Sequence, residues 1–373
     1  MKPAMTPAAL RRSARQPLLL HALRDPAAIG VFTLADWDLV LRQATSANLT
    51  PALLSMIEAR GLLDTVPAQA RAHFDWVRVL AARHRQAVRF EVACIRAALL
   101  PTGLPLLLLK GAAYTMASLD AGTGRLYNDI DIMVPKARLD DVEAALMLHG
   151  WAATRIDAYD QRYYRAWMHE LPPMQHVRRK SSIDVHHAIV PETMALRPDP
   201  GKLRAAARPI EGEAGLATLA PCDMVLHSAV HLFYDGEFDK GLRDLLDVHR
   251  LLGQFGAQSG FWDALPARAH ELELGRPLFY ALRYGQHLLG TEVPPAVRAA
   301  LAGAAPTRAL LWLMDRLFER ALLPDHASCR DAFSGLARFA LYVRGNWLRM
   351  PPLMLARHLF HKAFISPRSA QPH

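Results

Sequence analysis

Through the first hundred residues apolar side chains recur every three to four positions among Arg, Gln and Glu, a spacing that places them on one face of a helix. It predicts helices over 34–47, 50–60 and 67–100, the last with Ala68, Phe74, Val77, Leu80, Ala81, Val88, Val92 and Ile95 along one side. Pro67 suits a first helical turn, and Pro101-Thr102-Gly103 closes the run. The period then shortens. Residues 106–109 are an unbroken apolar run that reads as a buried strand, followed by a small-residue helix start over 112–118. Asp129 and Asp131 alternate with Ile130 and Ile132, the pattern of a strand with one buried face. Residues 139–149 form an amphipathic helix closed by Gly150, 151–156 return as a strand, and 161–170 are aromatic and ambiguous. Two short strands occupy 175–185 around the turn at 178–182, with Asp184 and His186 on one face of the second.

Residues 191–220, rich in Pro, Gly and Ala, read as a linker or irregular strand region. Helical periodicity resumes over 222–234, 240–252, 261–272, 276–289, 294–302 and 308–322, and a basic amphipathic tail covers 331–364. No repeat of fixed period is present. The order predicts an α+β chain in three parts: a helical N-terminal region over 1–100, a core with a small mixed sheet over 101–220, and a helical C-terminal domain over 221–373.

The chemistry concentrates in the core. Because alternate residues of a strand share a face, Asp129 and Asp131 converge on one point, the geometry that holds Mg²⁺ alongside substrate phosphates. Upstream, Lys110-Gly111 sits between the apolar strand and the helix start, where free N–H groups and a side chain without a Cβ suit a phosphate. Lys110, at the end of a buried run, must reach solvent or an anion. Arg125, four residues before Asp129, is a fixed charge for the same phosphates or a clamp on the turn Gly122-Thr123-Gly124. Taken alone, the spacing of the two aspartates fits a solvated strand face better than a metal site.

The ordered set Leu109-Lys110-Gly111, Arg125 to Asp131 and Ile183 to His186 resembles the uncharacterised nucleotidyltransferases of the polymerase-β-like superfamily. The resemblance implies a nucleotidyltransferase core. Gly111 would serve the triphosphate, and Asp129, Asp131 and Asp184 would be catalytic metal ligands for two Mg²⁺ ions. It further implies a nucleoside triphosphate such as ATP as donor, and a hydroxyl acceptor in RNA, protein or a small molecule. Gly111 is followed by Ala112 where the superfamily usually has Ser or Gly, so the missing hydroxyl passes the phosphate contact to Lys110. The same order resembles the nucleotidyltransferase toxins that act on tRNA, although no compact aromatic and basic platform for stacking bases is visible. A catalytically silent nucleotide-binding or scaffold protein of the same fold is the competing expectation.

Other residues narrow the picture. His186 would orient Asp184 or touch substrate, and His187 points the other way. His227 and His231 have zinc-binding spacing, but Ser228 stands where a zinc peptidase needs Glu; they are expected to pack against Arg243, Asp244 and Asp247, with an acceptor-site role left open. The net charge of +9 is spread along the chain, which leaves an anionic partner and a compositional bias equally open. Cys94, Cys222 and Cys329 are odd in number and far apart, which disfavours a disulfide framework and points to a reducing cytoplasm. Arg11, Arg12 and Arg15 precede an apolar run too short for a signal core, and no stretch approaches the ~20 apolar residues of a membrane helix. The basic tail fits an amphipathic helix that closes the C-terminal domain better than a membrane-lying one, because Pro351-Pro352 breaks its face.

Overall fold

The computed structural model describes residues 17–154 and 158–350. The arginines at 11, 12 and 15, the end of the strand expected over 151–156, and the tail from Pro351 onward lie outside the described residues.

The N-terminal region opens with α1 (Leu18–Arg24), α2 (Leu34–Ser46), α3 (Thr50–Ala59) and α4 (Ala68–Leu99). Thr33 begins α2 with a capping box, its hydroxyl accepting from the Asp36 amide while the Asp36 carboxylate accepts from the Thr33 amide. At 32 residues α4 is about 48 Å long, and its apolar stripe is interrupted. Phe74 and Val77 are buried in the N-terminal region, Phe74 edge-on to Trp37 of α2, and Val88, Val92 and Ile95 are buried toward the core, whereas Leu80, expected on the same stripe, is exposed. A helix that long bridges two packing partners, and its middle turn faces neither.

The core begins with β1 (Leu106–Leu108), which runs into α5 (Lys110–Met116). It continues through β2 (Asp129–Met133), α6 (Leu139–Leu148), β3 (Trp151–Ala153), α7 (Ala158–Trp167), β4 (Met174–His176) and β5 (Ser182–His186). The segment expected as a linker or irregular strand region supplies two short strands, β6 (Arg208–Pro209) and β7 (Leu216–Thr218), together with an unexpected helix, α8 (Pro200–Ala205). β7 pairs parallel to β1, register Leu107 to Ala217. A three-residue strand carries too little alternation to stand out among prolines and glycines. The sheet has seven strands in the order β3-β4-β5-β2-β1-β7-β6, and it is mixed, with β2/β5 and β1/β7 parallel and the other pairs antiparallel.

Helices then return as α9 (Pro221–Tyr234), α10 (Gly241–Gly256), α11 (Phe261–Glu271), α12 (Gly275–Tyr284), α13 (Pro295–Ala300), α14 (Arg308–Ala321) and α15 (Ser334–Arg349). The helix expected over 276–289 ends as α at Tyr284 and finishes in a π-helical turn, Gly285–Leu289. α15 packs on α14 and α9, so the described part of the basic tail closes the C-terminal region. Among the described residues no helix is long and apolar enough to cross a membrane. This is an α+β chain: a small mixed sheet flanked by helical N-terminal and C-terminal regions.

Two placements position the site. β2 lies at the centre of the sheet with Ile130 and Ile132 buried beneath it, so Asp129 and Asp131 point to the opposite face. α10 packs against the turn Asp120–Gly122 just upstream of β2 and faces that same surface, beside α9.

Candidate active site

β2 and β5 run parallel in the register Asp129 to Ser182, Asp131 to Asp184 and Met133 to His186. Partners in register share a face, so Asp184 and His186 stand on the same side as Asp129 and Asp131 while Ile183 and Val185 are buried with the isoleucines. The three aspartates thus gather on one sheet surface from two adjacent strands, although more than fifty residues separate them in sequence.

Asp131 is the buried anchor. Its Oδ1 accepts from Lys110 Nζ at 3.0 Å and meets His186 Nε2 at 2.9 Å, and the Asp131 carbonyl accepts from the Leu109 amide at 2.9 Å. Burial alone would raise its pKa, but Lys110 and His186 outweigh that and hold it well below the usual carboxylate range. The other two aspartates behave oppositely. Asp129 is raised by burial and by the neighbouring Asp131 charge, and Asp184 is pushed up to about 7 by burial, Asp131 and Glu170. One carboxylate is neutralised by protein cations and two are not.

Lys110 supplies half of that neutralisation from a constrained backbone. Its φ is +44°, in the left-handed region that side chains with a Cβ rarely occupy, at the junction of β1 and α5. Burial works against its ammonium, yet Asp131 more than compensates and raises its pKa. The sequence reading gave Lys110 to phosphate; here its ammonium rests on the central carboxylate. The helix also starts earlier than expected, at Lys110 instead of Ala112, so Gly111 lies in its first turn.

Arg125 is buried and committed to acids of α10. Its Nε donates to Asp247 at 2.6 Å, its Nη2 lies 3.8 Å from Asp244, and its guanidinium rests over the rings of Tyr114 and Tyr127. Despite its burial, Asp247 and Asp244 raise its pKa further. The expected clamp on the glycine turn is taken instead by Arg250, whose Nη1 donates to the Thr123 carbonyl at 2.7 Å. A long-range partner on α10 explains why local sequence could not place Arg125. Gly111 is tied to the same contact. A Cβ there would meet Arg125 Nη1 at 2.2 Å and Tyr127 Cδ1 at 2.8 Å, and Arg125 cannot swing away without leaving Asp247. Gly111→Ala is expected to lower stability by about 1–3 kcal/mol through overpacking, read as a fall in the thermal midpoint; an unchanged midpoint would show that Arg125 moves freely.

The histidines fall partly as expected. Asp247 serves Arg125 and Asp244 accepts from Arg243 at 2.6 Å, while His227 and His231 sit on α9, which packs against α10, and His231 lines the same cavity as Arg243, Asp244 and Asp247. Both histidines are held unprotonated by burial and then by Lys110, with His227 pushed down to about 3. His186 bonds Asp131 and not Asp184, and its pKa is raised because Asp131 and Glu170 overcome its burial. His187 is buried on the other side, near the Met168 carbonyl at 3.3 Å. Sequence reading missed His169 and Glu170 altogether. They lie in the ambiguous aromatic segment, just past α7, and Glu170 reaches the site through an isolated antiparallel bridge to His186.

Two cavities meet at this surface. One, of about 290 Å³, is lined by Lys110, Gly111, Arg125, Asn128, Lys240 and Arg243 among others. The second, of about 390 Å³, is lined by Tyr163, His169, Glu170, Asp184, Asn346 and Arg349 among others. Lys110 and Asp129 line both. A larger hollow of about 810 Å³ behind α10 has none of the three aspartates.

An oxygen-only donor set of three carboxylates suits a hard cation, and the raised Asp129 and Asp184 mark negative charge that the protein leaves uncompensated. A sequence model of the family described as uncharacterised nucleotidyltransferases matches residues 33–290, and the chain belongs to that family. The match takes in the long helix α4, the sheet and its three aspartates, and α9 to α12. No curated protein and no solved structure gives a match.

Proposed function

We propose that this chain transfers the nucleoside monophosphate of a nucleoside triphosphate to a hydroxyl of an acceptor, using Mg²⁺ held by Asp129, Asp131 and Asp184. The observation that carries the reading is the β2/β5 register, which puts three carboxylates on one sheet face beside two cavities that share Lys110 and Asp129. Bound Mg²⁺ would supply charge neutralisation at the transferring phosphorus and at the leaving pyrophosphate.

The chain's own residues divide the remaining work. In the cavity lined by Lys110, Lys240 and Arg243, Lys110 rests on Asp131 and Arg243 on Asp244, so Lys240 is the cation suited to a triphosphate, with the Gly111 backbone on the wall and the metal ions supplying the remaining charge. The cavity with Asp184, Tyr163 and Arg349 is the acceptor side. Asp184, ionised once the cation is bound, would take the proton of the acceptor hydroxyl as it attacks. His186 and Lys110 fix Asp131 in place, and Lys110, which lines both cavities, puts positive charge where the transferred phosphate would pass.

A silent nucleotide binder is the second reading, favoured by the Lys110 ammonium already resting on Asp131. Titration calorimetry with each of the four ribonucleoside triphosphates in Mg²⁺ separates the two when paired with labelled-nucleotide transfer. Mg²⁺-dependent binding lost in Asp129→Ala/Asp131→Ala, together with release of pyrophosphate, supports the transferase. Binding without turnover on any acceptor class favours the silent reading, and no binding at all removes both.

A further inference from the structure

We propose that His169, Glu170 and His186 form a second cation site, suited to a divalent transition metal such as Zn²⁺, Co²⁺ or Fe²⁺ and separate from the three-aspartate centre. The three residues each offer a ligand atom, and these atoms lie within 4.8 Å of one another. Ligands at about 2.0–2.2 Å from a common ion lie up to roughly 4.3 Å apart, so a small inward movement closes the set.

Two orphaned atoms point to a ligand. Nδ1 of His169 and Nδ1 of His186 are buried without a hydrogen-bond partner. His186 Nδ1 lies 3.3 Å from Glu170 Oε2, near enough for charge contact but out of hydrogen-bonding line. Buried polar atoms left unmatched are few in a native protein, and two imidazole nitrogens beside one carboxylate share a simple remedy. The other edge of His186 is already fixed: its Nε2 meets Asp131 Oδ1 at 2.9 Å. With the Nε2 N–H kept by Asp131, the usual outer support of a metal-bound histidine, displacement of the Nδ1 proton by the ion turns that nitrogen into a ligand.

The backbone holds the three in place. Glu170 bridges His186 antiparallel, and the His187 amide donates to the His169 carbonyl at 2.8 Å. The His169 and His186 rings lie 5.2 Å apart, tilted by 37°. All three side chains line the cavity of about 390 Å³ that also holds Asp184 and Asp129, so further coordination positions open toward the acceptor side. Two nitrogens and one oxygen match a borderline transition ion, whereas Mg²⁺ prefers oxygen alone. Through the His186 to Asp131 contact, such an ion would be a positioning element for the central aspartate.

The test uses the full-length protein stripped with chelator and titrated with Zn²⁺, Co²⁺ and Mg²⁺ without nucleotide. Circular dichroism and the thermal midpoint in chelator control for folding. One Zn²⁺ or Co²⁺ per chain is expected, retained in Asp129→Asn, weakened about tenfold or more in Glu170→Gln and lost in His169→Ala. The Co²⁺ visible spectrum should change with Glu170→Gln and not with Asp129→Asn. Should His169→Ala fail to fold, the Glu170→Gln titration and spectrum decide. Zn²⁺ binding no tighter than Mg²⁺ overturns the proposal, as does uptake unchanged in Glu170→Gln or uptake abolished by Asp129→Asn.

Discussion

Asparagine at Asp129 and asparagine at Asp131 are both expected to reduce nucleotidyl transfer by about 10³-fold, yet with opposite effects on stability. The shared loss follows from the proposed chemistry: either change would remove a carboxylate from the place where that proposal neutralises phosphate charge, and removal of one preorganised electrostatic group costs roughly 10²–10³ in turnover. The stabilities diverge because the environments differ. Asp131 is buried with Lys110 and His186 on one oxygen, and both cations have raised pKa values because of it. An asparagine leaves those buried charges without their counterion, a loss of about 3 kcal/mol or more. Asp129 has a raised pKa through burial and repulsion by Asp131, so neutralising it relieves strain in the metal-free protein. Asp129→Asn should therefore melt at or above wild type in chelator while Asp131→Asn melts well below it. Equal midpoints for the two would mean that the Lys110-Asp131-His186 cluster contributes little, and retained turnover in Asp129→Asn would remove Asp129 from the metal centre.

The aspartate strand was legible because it is written in a local code. Alternation over Asp129 to Ile132 states both the strand and its exposed face, and Ile183 to His186 repeats the code. What joins them is a register between strands, and local pattern is silent on pairing; a resemblance to a family supplied it. Arg125 shows the opposite case. Its charge and position suggested a phosphate, but Asp247, 122 residues away, decides its role, and only the packing of α10 against the turn before β2 brings them together. His169 and Glu170 were hidden for a related reason: just past the end of an aromatic helix, with prolines following, their segment carries no period. A single bridge to His186 makes them part of the site. The β7 strand, three residues in a proline- and glycine-rich stretch, was too short to be placed within a segment that reads as a linker or irregular strand region.

Asp184 sets the second large effect, a stability that depends on pH and metal together. Its folded pKa of about 7 exceeds its ordinary value of 3.8, through burial first and then Asp131 and Glu170. Between those values the folded protein binds a proton that the unfolded chain has released, so stability falls as pH rises through that window. At about 1.36 kcal/mol per pKa unit the full cost approaches 4 kcal/mol above pH 7, and less to the extent that water in the cavity screens the charge. A divalent cation reverses the sign of the environment. With Mg²⁺ on the three carboxylates the ionised form is the one bound, so the ion should stabilise the protein strongly at pH 8 and hardly at pH 5. Asp184→Asn carries no ionisable group there, and its chelator midpoint should be higher than wild type at pH 8 and similar at pH 4. Thermal unfolding of both proteins between pH 4 and pH 8, with chelator and with Mg²⁺, reads all of this in one series. Because buried neutral histidines add stability as pH rises toward 6.5, the diagnostic is the difference between the two proteins: an Asp184→Asn advantage in chelator no larger at pH 8 than at pH 4 would mean that Asp184 is not the group held near neutrality. A Mg²⁺ effect of equal size at both pH values would place the cation away from Asp184.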